Sequence, residues 1–243
     1  VDGFGVVLRP VMQRKARAIH QSTAIPRPDR PSGGETPGAD PDRILLLGNG
    51  ALAGWGVRSH DQAVPGHLAR ELSQLTGHPA VVDLVADHTV RAETAASLIP
   101  YPQLAQYDAV VVVLGASDAL QLLPTARWTH DITRFLETLA DNTPATTEIV
   151  IMGIQPPSTV PVFDIASGGI VDQNAVRYNE ETKRRCTGRI HYLQPPELSR
   201  IGPSAVDPDT EEERRRVSDG YHQWARTIAQ CLAALRASNP SWS

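Results

Sequence analysis

Five short apolar runs, spaced by helix-like segments, limit what this chain can fold into. They are 43–48 (RILLLG), 80–85 (AVVDLV), 109–114 (AVVVVL), 148–154 (EIVIMGI) and 189–193 (RIHYL). Aliphatic and β-branched side chains dominate them, and these suit a pleated, covered surface. The run 109–114 is apolar throughout, which predicts a strand covered on both faces. Between the runs, apolar residues recur at helical spacing. Residues 62–76 place Val64, Leu68, Leu72 and Leu75 on one face, with Pro65 in the first turn and Gly77 as a stop. Residues 127–140 do the same with Trp128, Ile132, Phe135, Leu136 and Leu139. Segments 174–187 and 220–236 complete the helical set. Strands alternating with helices predict an α/β fold, a three-layer, doubly wound parallel sheet of about five strands.

The 243 residues suffice for one large domain or two small ones, and no internal repeat divides them. The regular pattern spans 43–236, leaving 237–243 as a tail. Ahead of it, residues 21–42 carry Pro26, Pro28, Pro31, Gly33, Gly34, Pro37, Gly38 and Pro41, the composition of a linker or surface-hugging loop. Residues 3–20 mix apolar and basic side chains. They read either as an amphipathic helix packed on the body or as a basic flank facing a membrane surface. No run approaches the ~18 apolar residues of a membrane span. No segment reads as a cleavable signal peptide, so the expected location is cytoplasmic or membrane-associated. A net charge of -4 gives no electrostatic reason to expect nucleic acid as a partner. The two cysteines, Cys186 and Cys231, form no disulfide framework and read as buried thiols.

In a doubly wound sheet, ligands bind outside the carboxyl ends of the strands. That rule selects three turns: Gly48-Asn49-Gly50, Ala86-Asp87-His88-Thr89 and Gly115-Ala116-Ser117-Asp118. The first follows a strand and is rich in glycine, as befits the turn where an α/β enzyme presents its nucleophile. None of its three residues can attack a carbonyl. Ser59-His60-Asp61 is no substitute, because consecutive residues cannot place three side chains in relay, and Ser59 or Asp61 reads as a helix cap.

Three segments carry a more specific signal. ILLLGNGALAGWGV is similar to the first block of the SGNH (GDSL-type) hydrolases, a strand ending in Gly-Asp-Ser. YDAVVVVLGASDAL resembles their third block, a strand ending in Gly-x-Asn-Asp, and DGYHQWARTIA resembles their C-terminal block. The resemblance covers roughly 43–236 and implies the SGNH-hydrolase, flavodoxin-like architecture. It also implies ester or acyl-transfer chemistry without a cofactor: a serine attacks, a histidine takes its proton, an aspartate orients the histidine, and N–H donors hold the oxyanion.

Carried over position by position, those roles fall on unsuitable residues. The nucleophile falls on Gly50, the aspartate beside it on Asn49, the second-block glycine near His88 and the third-block asparagine on Ser117. Gly115 and Asp118 are retained around it. Asp219 and His222 have the Asp-x-x-His spacing of the family's orienter and base. A second alignment fits Gly220, Tyr221, Trp224 and Ala225 to a later piece and places the base around Glu213–Arg216, where there is no histidine. On that alignment Asp219 is an N-cap or first-turn acid of the last helix and His222 an ordinary first-turn residue. On either alignment Glu211–Arg216 reads as a solvated helix face.

Two readings of function follow. In the first, the site is degenerate: Asn49, Gly50, His88, Gly115 and Asp118 line a cleft that binds a small acyl or glycan ligand, or a partner, with little or no turnover. In the second, chemistry has moved to Ser117, with His88 or His222 as base. A metal site from Asp87, His88, Asp118 and His222 has no recognised ligand spacing, and no metal is expected. Losing a serine nucleophile costs on the order of 10⁶ in kcat, which favours the first reading.

Overall fold

A computed structural model describes residues 28, 33–163, 169–198, 200–204, 207, 209–239 and 242. The basic segment 3–20 and its possible membrane contact lie outside these residues. Six strands form one sheet: β1 (Gly34–Glu35), β2 (Asp42–Gly48), β3 (Ala80–Ala86), β4 (Ala109–Val113), β5 (Glu148–Met152) and β6 (Ile190–Leu193). Their spatial order is β1-β3-β2-β4-β5-β6, with β2 through β6 parallel. Among the described residues five α-helices accompany them: α1 (Val64–Thr76), α2 (Ala116–Leu120), α3 (Thr125–Asn142), α4 (Ile170–Lys183) and α5 (Glu211–Ser238).

Strand periodicity divides the core in two. Ile44 and Leu46 of β2 face one way, against Val64, Leu68 and Leu72 of α1 and Val217, Trp224, Ile228 and Leu232 of α5. Leu45 and Leu47 face the other way, against Trp128, Ile132, Phe135 and Leu139 of α3 and Val171, Ala175 and Tyr178 of α4. On that second face Trp128 stacks on Tyr178, with ring centroids 4.9 Å apart and planes 12° apart. The layered α/β architecture read from the sequence is therefore the one observed.

The sixth strand arises from the proline- and glycine-rich linker. β1 pairs antiparallel with β3, and Thr36 extends the contact, accepting from the Ala80 N–H through its hydroxyl at 2.7 Å. At the other end, Trp242 is buried and donates through Nε1 to Asp42 Oδ1 at 3.1 Å; the same oxygen accepts from Arg236 Nε at 2.9 Å. Packed structure thus extends past both 43 and 236. The last helix also begins earlier than its apolar pattern. Its first turns, Glu211–Arg216, carry no core residue and are held by the Thr210 cap, whose hydroxyl accepts from the Glu213 N–H, and by the Arg216–Glu213 ion pair. Asp219 and His222 consequently lie in mid-helix, not at its start.

The strand order reverses between β2 and β4. The chain leaves β2 toward β3, then returns across it to β4 and continues outward. Such a switch point opens a crevice beyond the strand ends. Its two sides meet at Gly48, where a Cβ would stand 1.9 Å from the Val113 carbonyl oxygen and φ is 142°. The neighbouring Asn49 N–H donates to that same oxygen at 2.8 Å. Gly48→Ala is expected to cost at least about 3 kcal/mol, combining backbone strain with a collision against main chain that cannot rotate away. Urea unfolding of the variant against wild type checks this.

Candidate functional site

Beyond β2, β4 and β5, a cavity of about 90 Å3 opens at the sheet's carboxyl rim. Asn49, Gly50 and Ala51 line it from β2, Val113, Leu114, Ala116 and Ser117 from β4, and Gly153, Ile154 and Gln155 from β5. Trp55, His88 and Phe163 reach in from loops, and Tyr221 and Trp224 from α5. The wall is largely apolar, and among the described residues no Asp, Glu, Lys or Arg lines it. The cavity is smaller than the ~150 Å3 cavity that holds benzene in an engineered core. It therefore encloses only a few heavy atoms of any ligand.

Gly50 takes φ 62°, and a Cβ there would have no heavy atom within 4 Å. A side chain at this position would project freely. Asn49 is fully buried in extended conformation, φ -138°, so it does not itself supply the turn's left-handed geometry; Gly48 and Gly50 do. Its Nδ2 donates to the Val90 carbonyl at 2.7 Å and lies 3.5 Å from Ser117 Oγ. His88 is half-buried, its ring tilted against Trp55 with centroids 6.0 Å apart. Ser117 Oγ has its contact with Asn49 rather than with an imidazole.

The remaining sequence candidates sit elsewhere. Gly115 is backed by Ile154 and Trp128 behind the cavity wall. Asp118 is 1% exposed beneath it; Oδ2 accepts a long bond from the Ala92 N–H at 3.4 Å, and Oδ1 has no partner. Burial pushes its carboxyl up to about 7, against weaker opposing pulls from the Ala92 N–H and Arg91. Asp219 and His222 do not line the cavity. His222 packs in the seam between α1 and α5, its Nε2 2.8 Å from Glu71 Oε1. The Asp-x-x-His spacing therefore brings no pair to the cavity: Asp219 is exposed on the helix, while His222 is turned to Glu71. Ser59 caps a short turn, accepting from the Asp61 N–H at 3.1 Å. Among the described residues no three His, Cys, Asp or Glu are grouped to hold a metal, so Asp87, His88, Asp118 and His222 are not a ligand set.

A serine and an imidazole do meet, outside the cavity. His67 Nε2 lies 3.0 Å from Ser218 Oγ, and Arg70 stands 3.1 Å from His67 Nδ1. A guanidinium only donates, so Nδ1 accepts and the proton of neutral His67 sits on Nε2. That ring therefore donates to Ser218 and cannot take its proton. Burial, then the charge of Arg70, also holds the imidazole down to about 4.

Several lining residues had no place among the candidates. Gln155 follows β5 as Asn49 follows β2, so extending the strand-end rule by one strand finds it. Trp224 and Tyr221 carry a weaker signal, the Gly-Tyr-x-x-Trp spacing of the C-terminal resemblance. Tyr221 OH is committed, donating to the Trp55 carbonyl at 2.7 Å.

No protein-family model and no curated protein matches the sequence. Solved structures do match in fold. A family two carbohydrate esterase from Cellvibrio japonicus superposes with TM-score 0.53 at 18% identity, over 81% of this chain and 64% of that one. This chain thus spans less than two thirds of that esterase. The lipase Lip_vut3 from a goat rumen metagenome gives 0.55 at 14% identity, over 79% and 96% of the two chains. An extracellular lipase from Streptomyces rimosus gives 0.51 at 13%, over 79% and 99%. At these identities the likeness establishes architecture alone: this is the α/β fold that esterases and lipases use, in agreement with the sequence resemblance.

Asp118 yields a pH prediction. Its folded pKa of about 7 stands above the ordinary 3.8, so the fold favours the neutral carboxyl. Its contribution to stability is fully present below about pH 4 and is lost as the pH rises toward 7. Asp118→Asn should remove that decline. Thermal unfolding from pH 4 to 8 should show the variant gaining on wild type up to about pH 7 and running parallel above it.

Proposed function

We propose that this protein is a ligand-binding relative of esterases whose own ester chemistry is silent or very weak. It holds a small acyl or glycan ligand, or a partner's side chain, in the cavity beyond β2, β4 and β5. One observation carries the reading: the cavity is kept, while the turn that should present a nucleophile offers Gly50 with open space above it. The apolar wall favours the acyl group. Ser117 is the half-buried alternative hydroxyl in the cavity, but its contact is with Asn49 and not with a base.

The magnitudes favour silence. What remains without a nucleophile is roughly 10³–10⁴ over water, from binding and oxyanion stabilisation alone. Here the oxyanion contribution is also weakened, since Ser117 stands where the resemblance places the donating asparagine.

Hydrolysis of p-nitrophenyl acetate and butanoate tests the proposal. Wild type is expected to stay within about 10⁴ of the uncatalysed rate, and Ser117→Ala is expected to leave it unchanged. Gly50→Ser should raise it by less than about ten-fold, because a hydroxyl without an activating base remains a weak nucleophile. Turnover at ordinary enzyme rates that disappears in Ser117→Ala would instead establish relocated chemistry at that serine.

A further inference from the structure

Six buried side-chain polar atoms among the described residues lack a hydrogen-bond partner, and three of them belong to residues that line this one cavity. They are Asn49 Oδ1, Gln155 Oε1 and Trp224 Nε1. Native structures leave few buried polar atoms unpaired, so their gathering around one cavity points to a ligand.

The chemical sense of each atom is fixed. Asn49 Nδ2 donates to the Val90 carbonyl at 2.7 Å, and Gln155 Nε2 donates to the Leu198 carbonyl at 3.1 Å. A carbonyl only accepts, so neither amide can flip, and both side-chain oxygens remain as acceptors. An indole N–H only donates. Residues of the wall therefore hold two unpaired acceptors and one unpaired donor just behind its surface, and among the described residues no charged side chain lines it.

Resting on the reading of the cavity as a binding site, we propose that its ligand is a primary carboxamide on a short apolar chain, chosen over the corresponding acid or ester because Asn49 Oδ1, Gln155 Oε1 and Trp224 Nε1 match its two N–H donors and one carbonyl. A carboxylate brings no donor and a charge that the apolar wall cannot pair. An ester satisfies the indole at best and leaves both amide oxygens unpaired. This reverses the polarity of an ester-cleaving site, which gathers donors around a developing oxyanion. The three atoms lie behind the cavity surface, shielded from bulk water. A ligand meets them by edging the lining side chains apart.

A matched series on the full chain tests this: butanamide, N,N-dimethylbutanamide, butanoate and methyl butanoate, each titrated while the Trp224 indole N–H is followed by NMR. Butanamide is expected to bind at least ten-fold more tightly than the other three and to shift the indole proton downfield. In Gln155→Met, a change of similar size that removes the acceptor, the preference for butanamide over its dimethyl form should fall by three-fold or more. Similar affinity for all four compounds at the cavity would overturn the amide proposal and leave the binding-site reading standing. Tighter binding of butanoate or methyl butanoate would do the same. No perturbation of cavity resonances by any of the four would overturn both.

Discussion

The fold turns on the close approach of β2 and β4 at Gly48. The strands diverge in topology there, yet their main chains touch, with the Gly48 Cα facing the Val113 carbonyl and the Asn49 N–H bonded to it. This seam sets where both rim turns begin. Asn49 and Gly50 leave one strand and Ser117 the other, and their distance across the crevice follows from a contact in which no side chain takes part. The placement of the two rim turns is consequently set by the backbone.

That separation between frame and chemistry runs through the site. An acyl-transfer centre needs three side chains in one register, and any of them can be lost without disturbing the sheet. Gly50 stands over open space, and His222 is absorbed into a helix seam beside Glu71. The crevice has an apolar wall and amide groups anchored to main-chain carbonyls. Such anchoring fixes which atom of each amide is the donor.

The sheet was readable from the sequence because its strands are apolar on both faces, and the rim turns were readable because ligand position follows from topology. The two-residue β1 was hidden by the prolines and glycines around it, and it exists only because Thr36 and Gly34 meet an edge already formed by β3. Glu211–Arg216 was legible as a solvated helix face, but not as one helix with 220–236, because caps and ion pairs, not apolar periodicity, hold those turns. That break placed Asp219 and His222 at a supposed helix entrance, whereas both lie in mid-helix; the Asp-x-x-His reading came from the resemblance alone. Gln155 was within reach of the strand-end rule, whereas Trp224 approaches the cavity from the opposite layer, and only tertiary packing decides which helical face does so.

The Asp42 carboxylate has a consequence for how the chain is made. It opens the central strand, is fully buried, and receives its donors from Arg236 and Trp242, 194 and 200 positions further along. During synthesis that acid therefore lacks these donors until residues 236–242 have left the ribosome. Earlier segments can collapse before that moment, but the head of β2 is secured only once Arg236 and Trp242 arrive.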